Sequence, residues 1–166
     1  MLRITKQTDY GIVLLSRMAA EPARLFNAPE LAAELGLPLP TVSKILKLLA
    51  RDGVLASHRG VKGGYSLSRP PQAISVAEVI GSLEGPIAMT DCIDDSPSVG
   101  TCQQEGHCAL QANWQVINRA VRRALDGITL RDMALPLPEA QLVQLGRGSH
   151  GSAAAPVEAA PATGAP

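Results

Sequence analysis

A mainly α-helical fold with one small β-hairpin is predicted by three observations. Hydrophobic residues make up 46% of the 166-residue chain but aromatic residues only 2%, so the core must be built from the aliphatic side chains that pack helix against helix. Apolar residues recur at helical spacing in several segments. Glycines cluster in one short stretch, HRGVKGGY at 58–65, whose flanks read as strands. The length suits one compact domain with room for a tail.

The elements follow in order. Residues 8–20 (TDYGIVLLSRMAA) predict a first helix, with Thr8 as its cap, Asp9 near its positive end and Glu21-Pro22 as its stop. Residues 28–35 predict a second, with Asn27 capping, Pro29 tolerated in the first turn and Gly36 closing it. After the short link GLPLP, Val42, Ile45, Leu46 and Leu49 recur at i, i+3, i+4 and i+7, so one face of a third helix is buried. Thr41, Ser43, Lys44 and Lys47 are left on its open side. VLASHRG and YSLSRP then read as two strands around a glycine-rich loop, ended by Pro70 and Pro71. A fourth helix spans 76–83, with Ser75 and Glu78 spaced for a capping box.

Residues 85–108 have the composition of an irregular loop, and a loop of that length inside a small domain is usually functional or disordered. The longest helical pattern covers 109–126. Its Leu110, Trp114, Ile117, Val121 and Leu125 form a seam suited to pairing with a second helix, leaving Arg119, Arg122 and Arg123 outside it. A short helix over 129–134 follows, and the Ala-, Pro- and Gly-rich tail at 146–166 is expected not to fold.

This order, two short helices, a tight turn, a third helix and a glycine-rich hairpin, is that of a winged helix-turn-helix with a two-stranded β-wing and a long C-terminal dimerisation helix. It divides the chain into a DNA-binding domain at 1–84, a cysteine-rich loop at 85–108, a dimerisation helix with a short last helix at 109–135, and the tail. The net charge is zero, yet residues 1–65 carry nine Lys or Arg against five Asp or Glu, and 66–166 carry six against ten. A basic half joined to an acidic half suits a nucleic-acid face coupled to a second task. Thr41, Ser43, Lys44 and Lys47 are the groove-side candidates, and His58, Arg59 and Lys62 those of the wing. The plainer alternative is a three-helix unit that docks on another protein with its lysines merely solvated.

Cys92, Cys102 and Cys108 are spaced C-x9-C-x5-C. An odd number within one segment cannot pair off internally as disulfides, and three thiolates select zinc or an iron-sulfur cluster over hard cations. His107 could complete a Cys3His zinc site; three unrelated thiols is the bland reading. A thiol oxidoreductase is disfavoured because the chain has no C-x-x-C, no nucleotide-binding glycine motif and no His-plus-carboxylate set attached to a plausible pocket. No signal-like or membrane-spanning apolar run is present, so a cytoplasmic protein with no membrane partner is expected.

MLRITKQTDYGIVLL, LPTVSKILKLLARDGVLASHRGVKGGYSL, ISVAEVIGSLEGPIAMTDC and ANWQVINRAVRRALDGITLRDMA together resemble the Rrf-type winged-helix transcription regulators, the IscR and NsrR group, and most of all their SUF-system iron-sulfur assembly regulators, over roughly residues 1–135. The resemblance implies a homodimer with crossed C-terminal helices and a 2Fe-2S or 4Fe-4S cluster in the cysteine loop. It also implies DNA affinity that depends on the cluster. Cys92, Cys102 and Cys108 match the family's cysteines, with a longer first gap. Arg59 matches the arginine that enters the minor groove. The family histidine three residues after the last cysteine is Gln111 here, so that ligand does not carry over. Some relatives take the fourth ligand from the first helix of the partner subunit, where this chain has Asp9; His107 and an exogenous thiol or water are rivals. Asp9 is equally explained as an acid at a helix N-terminus. The function implied is a repressor of iron-sulfur assembly genes, reading a near-palindromic double-stranded operator. A zinc-stabilised DNA-binding or adaptor protein is the alternative.

Overall fold

Thr5, not Thr8, opens the first helix. In the computed structural model, which describes residues 3–60, 63–90 and 108–135, Thr5 has an extended backbone and its hydroxyl accepts the Thr8 backbone N–H. Helix α1 therefore runs Lys6–Ala20. Thr8 lies inside it, fully buried, and the expectation that it caps is corrected: a residue one turn inside faces the core, while Thr5 is free to turn its oxygen to the helix end. Helix α2, Ala28–Leu35, has the predicted ends, with Asn27 Oδ1 accepting the Glu30 N–H at 2.9 Å and Gly36 in the left-handed conformation at φ +64°. Helix α3, Leu39–Arg51, buries Val42, Ile45, Leu46 and Leu49.

Strands β1 (Leu55–His58) and β2 (Gly64–Leu67) pair antiparallel, Leu55 opposite Leu67 and His58 opposite Gly64. The hairpin is tied back to the helices by an exchange between Phe26 and Tyr65, at 3.0 Å from the Phe26 N–H and 2.7 Å from that of Tyr65. A Cβ on Gly64 would sit 2.5 Å from the Phe26 carbonyl oxygen, so only glycine allows this approach. A single 3-10 turn at Pro71–Ala73 leads to helix α4, Val76–Glu84. The Ser75 hydroxyl accepts the Glu78 N–H, but the Glu78 carboxylate pairs with Arg69; the expected capping box is half realised because a cation outcompetes a backbone amide.

Helix α5 spans Gln111–Asp126, starting at 111 rather than 109. Leu110 in the cap position has no side-chain acceptor, and the Cys108 carbonyl takes the Gln111 N–H instead. Helix α6, Leu130–Ala134, opens on a full capping box between Thr129 and Asp132.

Leu14, Leu15 and Met18 of α1, Leu31 of α2, the buried face of α3, Phe26, Ile74 and Val79 form one core, and Leu130 of α6 is fully buried within it. The chain returns from α5 to reach it. Val76 N–H donates to the Ile128 carbonyl at 2.8 Å and Leu130 N–H to that of Ile74 at 3.0 Å, and α6 packs on α1.

Between α1 and α2 the guanidinium groups of Arg17 and Arg24 lie 5.4 and 4.7 Å from the centre of the Phe26 ring. Glu21 bridges both, at 2.7 Å from Arg17 and 3.1 Å from Arg24, while Glu34 reaches both and Glu30 pairs with Arg24. Hydrogen bonds from Arg17 and then Arg24 hold the Glu21 carboxyl below its ordinary value of 4.5. A carboxyl depressed in the folded state contributes stability that is present above the unfolded value and lost as pH falls through the folded one. The urea midpoint is thus expected to drop as pH goes from about 5 towards about 3, with Glu21→Gln showing a shallower drop. Parallel curves for the two proteins would show that the network does not contribute.

Candidate nucleic-acid interface and cysteine segment

The face of α3 opposite its buried stripe carries Pro40, Ser43, Lys44, Lys47, Leu48 and Arg51, which line an open groove of about 380 Å³. Lys44, Lys47 and Arg51 are exposed. Among the described residues neither lysine has an ion pair, whereas Arg51 forks onto Asp52. Ser43, Lys44 and Lys47 are therefore brought together as the helical spacing predicts, and Thr41 sits half-buried on the flank of the face. Arg51 was missed by the sequence reading, although it lies seven residues after Lys44 and four after Lys47 and shares their face by the same periodicity.

In the wing, His58 is exposed and its Nε2 lies 2.9 Å from Ser66 Oγ across the hairpin. Arg59 is exposed where β1 ends, and Gly60 turns the chain at φ +116°. Lys62 lies outside the described residues, as do Cys92, Cys102, His107 and the tail at 146–166. Cys108 is half-buried immediately before α5. Asp9 is exposed in the first turn of α1 and its side chain has no partner among the described residues. No three His, Cys, Asp or Glu side chains converge among those residues.

Gly85 to Met89 form one wall of a groove of about 440 Å³, faced by Ile4, by Ile80 of α4 and by Val121 and Leu125 of α5. Helix α5 thus has two apolar sides. Gln111, Trp114, Val121 and Leu125 are half-buried and Asn118 is buried, its Oδ1 without a hydrogen bond among the described residues. Leu110, Val116 and Ile117 are exposed, with Ala120 and Ala124 beside them. Of the predicted seam, Leu110 and Ile117 are free in one chain, and Trp114, Val121 and Leu125 are half-covered by the chain itself.

The sequence model of Rrf2, described as an iron-dependent transcriptional regulator, matches residues 4–136. The chain belongs to the Rrf2 family. It is 31% identical over 138 residues to protein aau3 of Rhizobium meliloti, covering 83% of this chain and 88% of that one. It is also 31% identical over 137 residues to the HTH-type transcriptional repressor NsrR of Streptomyces coelicolor, covering 80% and 88%. Among solved structures it is similar to CymR, the global cysteine regulator of B. subtilis, with a TM-score of 0.62, 27% identity and 81% and 97% coverage. IscR of T. potens, at TM-score 0.59, 22% identity and 90% and 94% coverage, shares the fold.

This Rrf2 chain is accordingly a transcriptional regulator with a winged helix-turn-helix, and its relatives are regulators rather than enzymes. DNA binding follows from that membership. No helix among its described residues is long and apolar enough to cross a membrane.

Proposed function

We propose that this Rrf2 protein is a homodimeric cytoplasmic repressor whose Cys92, Cys102 and Cys108 hold an iron-sulfur cluster, 2Fe-2S in preference to 4Fe-4S. The cluster sets the protein's affinity for a near-palindromic operator and so controls iron-sulfur assembly genes. The observation that carries this reading is the three-cysteine segment between α4 and α5 of a fold whose family is described as iron-dependent. The donor set fits. Three thiolates favour iron-sulfur or zinc over hard cations, Cys108 is partly screened from solvent at the foot of α5, and the carboxylate of Asp9 is exposed and without a partner among the described residues. Asp9 of one subunit is the preferred fourth ligand for the other, with His107 as its rival. When bound, the cluster supplies one-electron chemistry and sensitivity to oxidants and to iron shortage.

The chain's own residues do the rest. Ser43, Lys44 and Lys47, flanked by Thr41, meet the major groove and its phosphates, while Arg59, with His58 and Lys62, reaches the minor groove through the wing. The exposed Leu110 and Ile117 support a dimer through α5, with Trp114, Val121 and Leu125 at its margin. A twofold axis then spaces the half-sites about one helical turn apart. Because residues 85–89 line one groove with residues of both α4 and α5, a change in the cysteine segment can shift the population of DNA-competent dimers.

The test is anaerobic purification followed by visible absorption and iron, sulfide and zinc assays. Brown protein is expected, and Ser at Cys92, Cys102 and Cys108 should abolish the colour and any difference in DNA affinity between cluster-loaded and cluster-free protein at fixed salt. Colourless protein with stoichiometric zinc overturns the cluster in favour of the zinc-stabilised alternative. Asp9→Ala is expected to bleach faster in air; an unchanged spectrum and lifetime in that variant, with loss in His107→Ala, would move the fourth ligand to His107.

A further inference from the structure

We propose that Arg51 is a DNA-phosphate contact whose guanidinium is held in position by Asp52, with Ser82 of α4 bracing the Asp52 carboxylate. The inference rests on the nucleic-acid reading of α3 given above. Arg51 Nε lies 2.8 Å from Asp52 Oδ1 and Nη2 lies 3.2 Å from Oδ2, while Ser82 Oγ donates to Oδ2 at 2.9 Å. The backbone of Asp52 is itself fixed, its N–H returning to the Leu48 carbonyl at the end of α3. The carboxylate is thus held from two sides, and it presents a fork to a guanidinium that borders the same groove as Lys44 and Lys47. Of the five guanidinium N–H donors the fork uses two, and three remain for a phosphate.

The pair's own contribution to stability is small, since the Arg51 side chain is 67% exposed. The carboxylate also stands at the negative end of α3, where helix electrostatics oppose it. Hydrogen bonds from Arg51 and then Ser82 nevertheless hold its pKa below the ordinary value against the opposing effect of burial. What the fork does achieve is removal of rotamer freedom from a long cation before DNA arrives. Ser82 extends the effect to α4, the helix that leads in the chain to Cys92, so the end of the recognition helix is joined by one side-chain bond to the element next to the cysteines.

The experiment is a salt titration of full-length protein against a random-sequence DNA duplex, with thermal melts confirming that each variant is folded. Arg51→Ala should lower the slope of log affinity against log salt by about 0.9, so that the loss between about 50 and 200 mM becomes about 3.5-fold smaller. Arg51→Lys should keep the slope. Asp52→Asn should weaken binding in the parent chain but strengthen it in the Arg51→Ala background, where only a repelling charge is removed. Ser82→Ala should weaken binding in the parent and have no effect beside Asp52→Asn. An unchanged slope in Arg51→Ala, or strengthening by Asp52→Asn in both backgrounds, overturns the inference while leaving the DNA reading intact. A parent chain that fails to bind the duplex at any salt removes both.

Discussion

Leu130→Ala is expected to destabilise the protein by about 2–5 kcal/mol, the range for emptying a leucine site that cannot collapse. Leu130 is fully buried among side chains that begin with Leu14 and Leu15, and the bonds from Val76 to Ile128 and from Leu130 to Ile74 hold its backbone in place. Surrounding atoms therefore relax little into the space left behind. Total stabilities of small domains are about 5–15 kcal/mol, so one truncation on the last helix removes a large share. Because α1 packs on both α6 and α3, DNA affinity should fall with it, although Leu130 is remote in sequence from α3. Urea midpoints of parent and variant measure the effect. Equal midpoints would make α6 a peripheral appendage.

The second large effect is electrostatic. Lys44→Ala combined with Lys47→Ala should lower the salt slope of DNA binding by about 1.8 and make the loss of affinity between about 50 and 200 mM about twelvefold smaller. Both side chains are exposed and without ion pairs among the described residues, so stability should stay within about 0.5 kcal/mol of the parent. An unaltered slope would mean that the outward face of α3 does not lie on DNA.

Much of this architecture was legible because short-range rules decide it. Asn27 and Gly36 bracket α2 as their chemistry requires, the i, i+3, i+4, i+7 pattern of α3 is its buried face, and the glycines of HRGVKGGY mark the wing. The outward cations of α3 follow from the same periodicity, Arg51 included once the count is carried one turn further. The fork from Asp52 could not be read this way, since its brace, Ser82, comes from another helix.

By itself the sequence determined the helices, the hairpin and the family, because caps, turns and apolar periodicity depend on neighbours within a turn or two. Only the tertiary structure decided that Thr5 rather than Thr8 caps α1, that Glu78 answers Arg69, that Leu130 belongs to the N-terminal core, and which side of α5 its own chain covers. Each of those outcomes is a competition between possible partners, some nearby in the chain, as for Thr5 and Glu78, and some far along it, as for Leu130. Such competitions are settled by which surfaces come together when the chain closes, and no local pattern encodes that meeting.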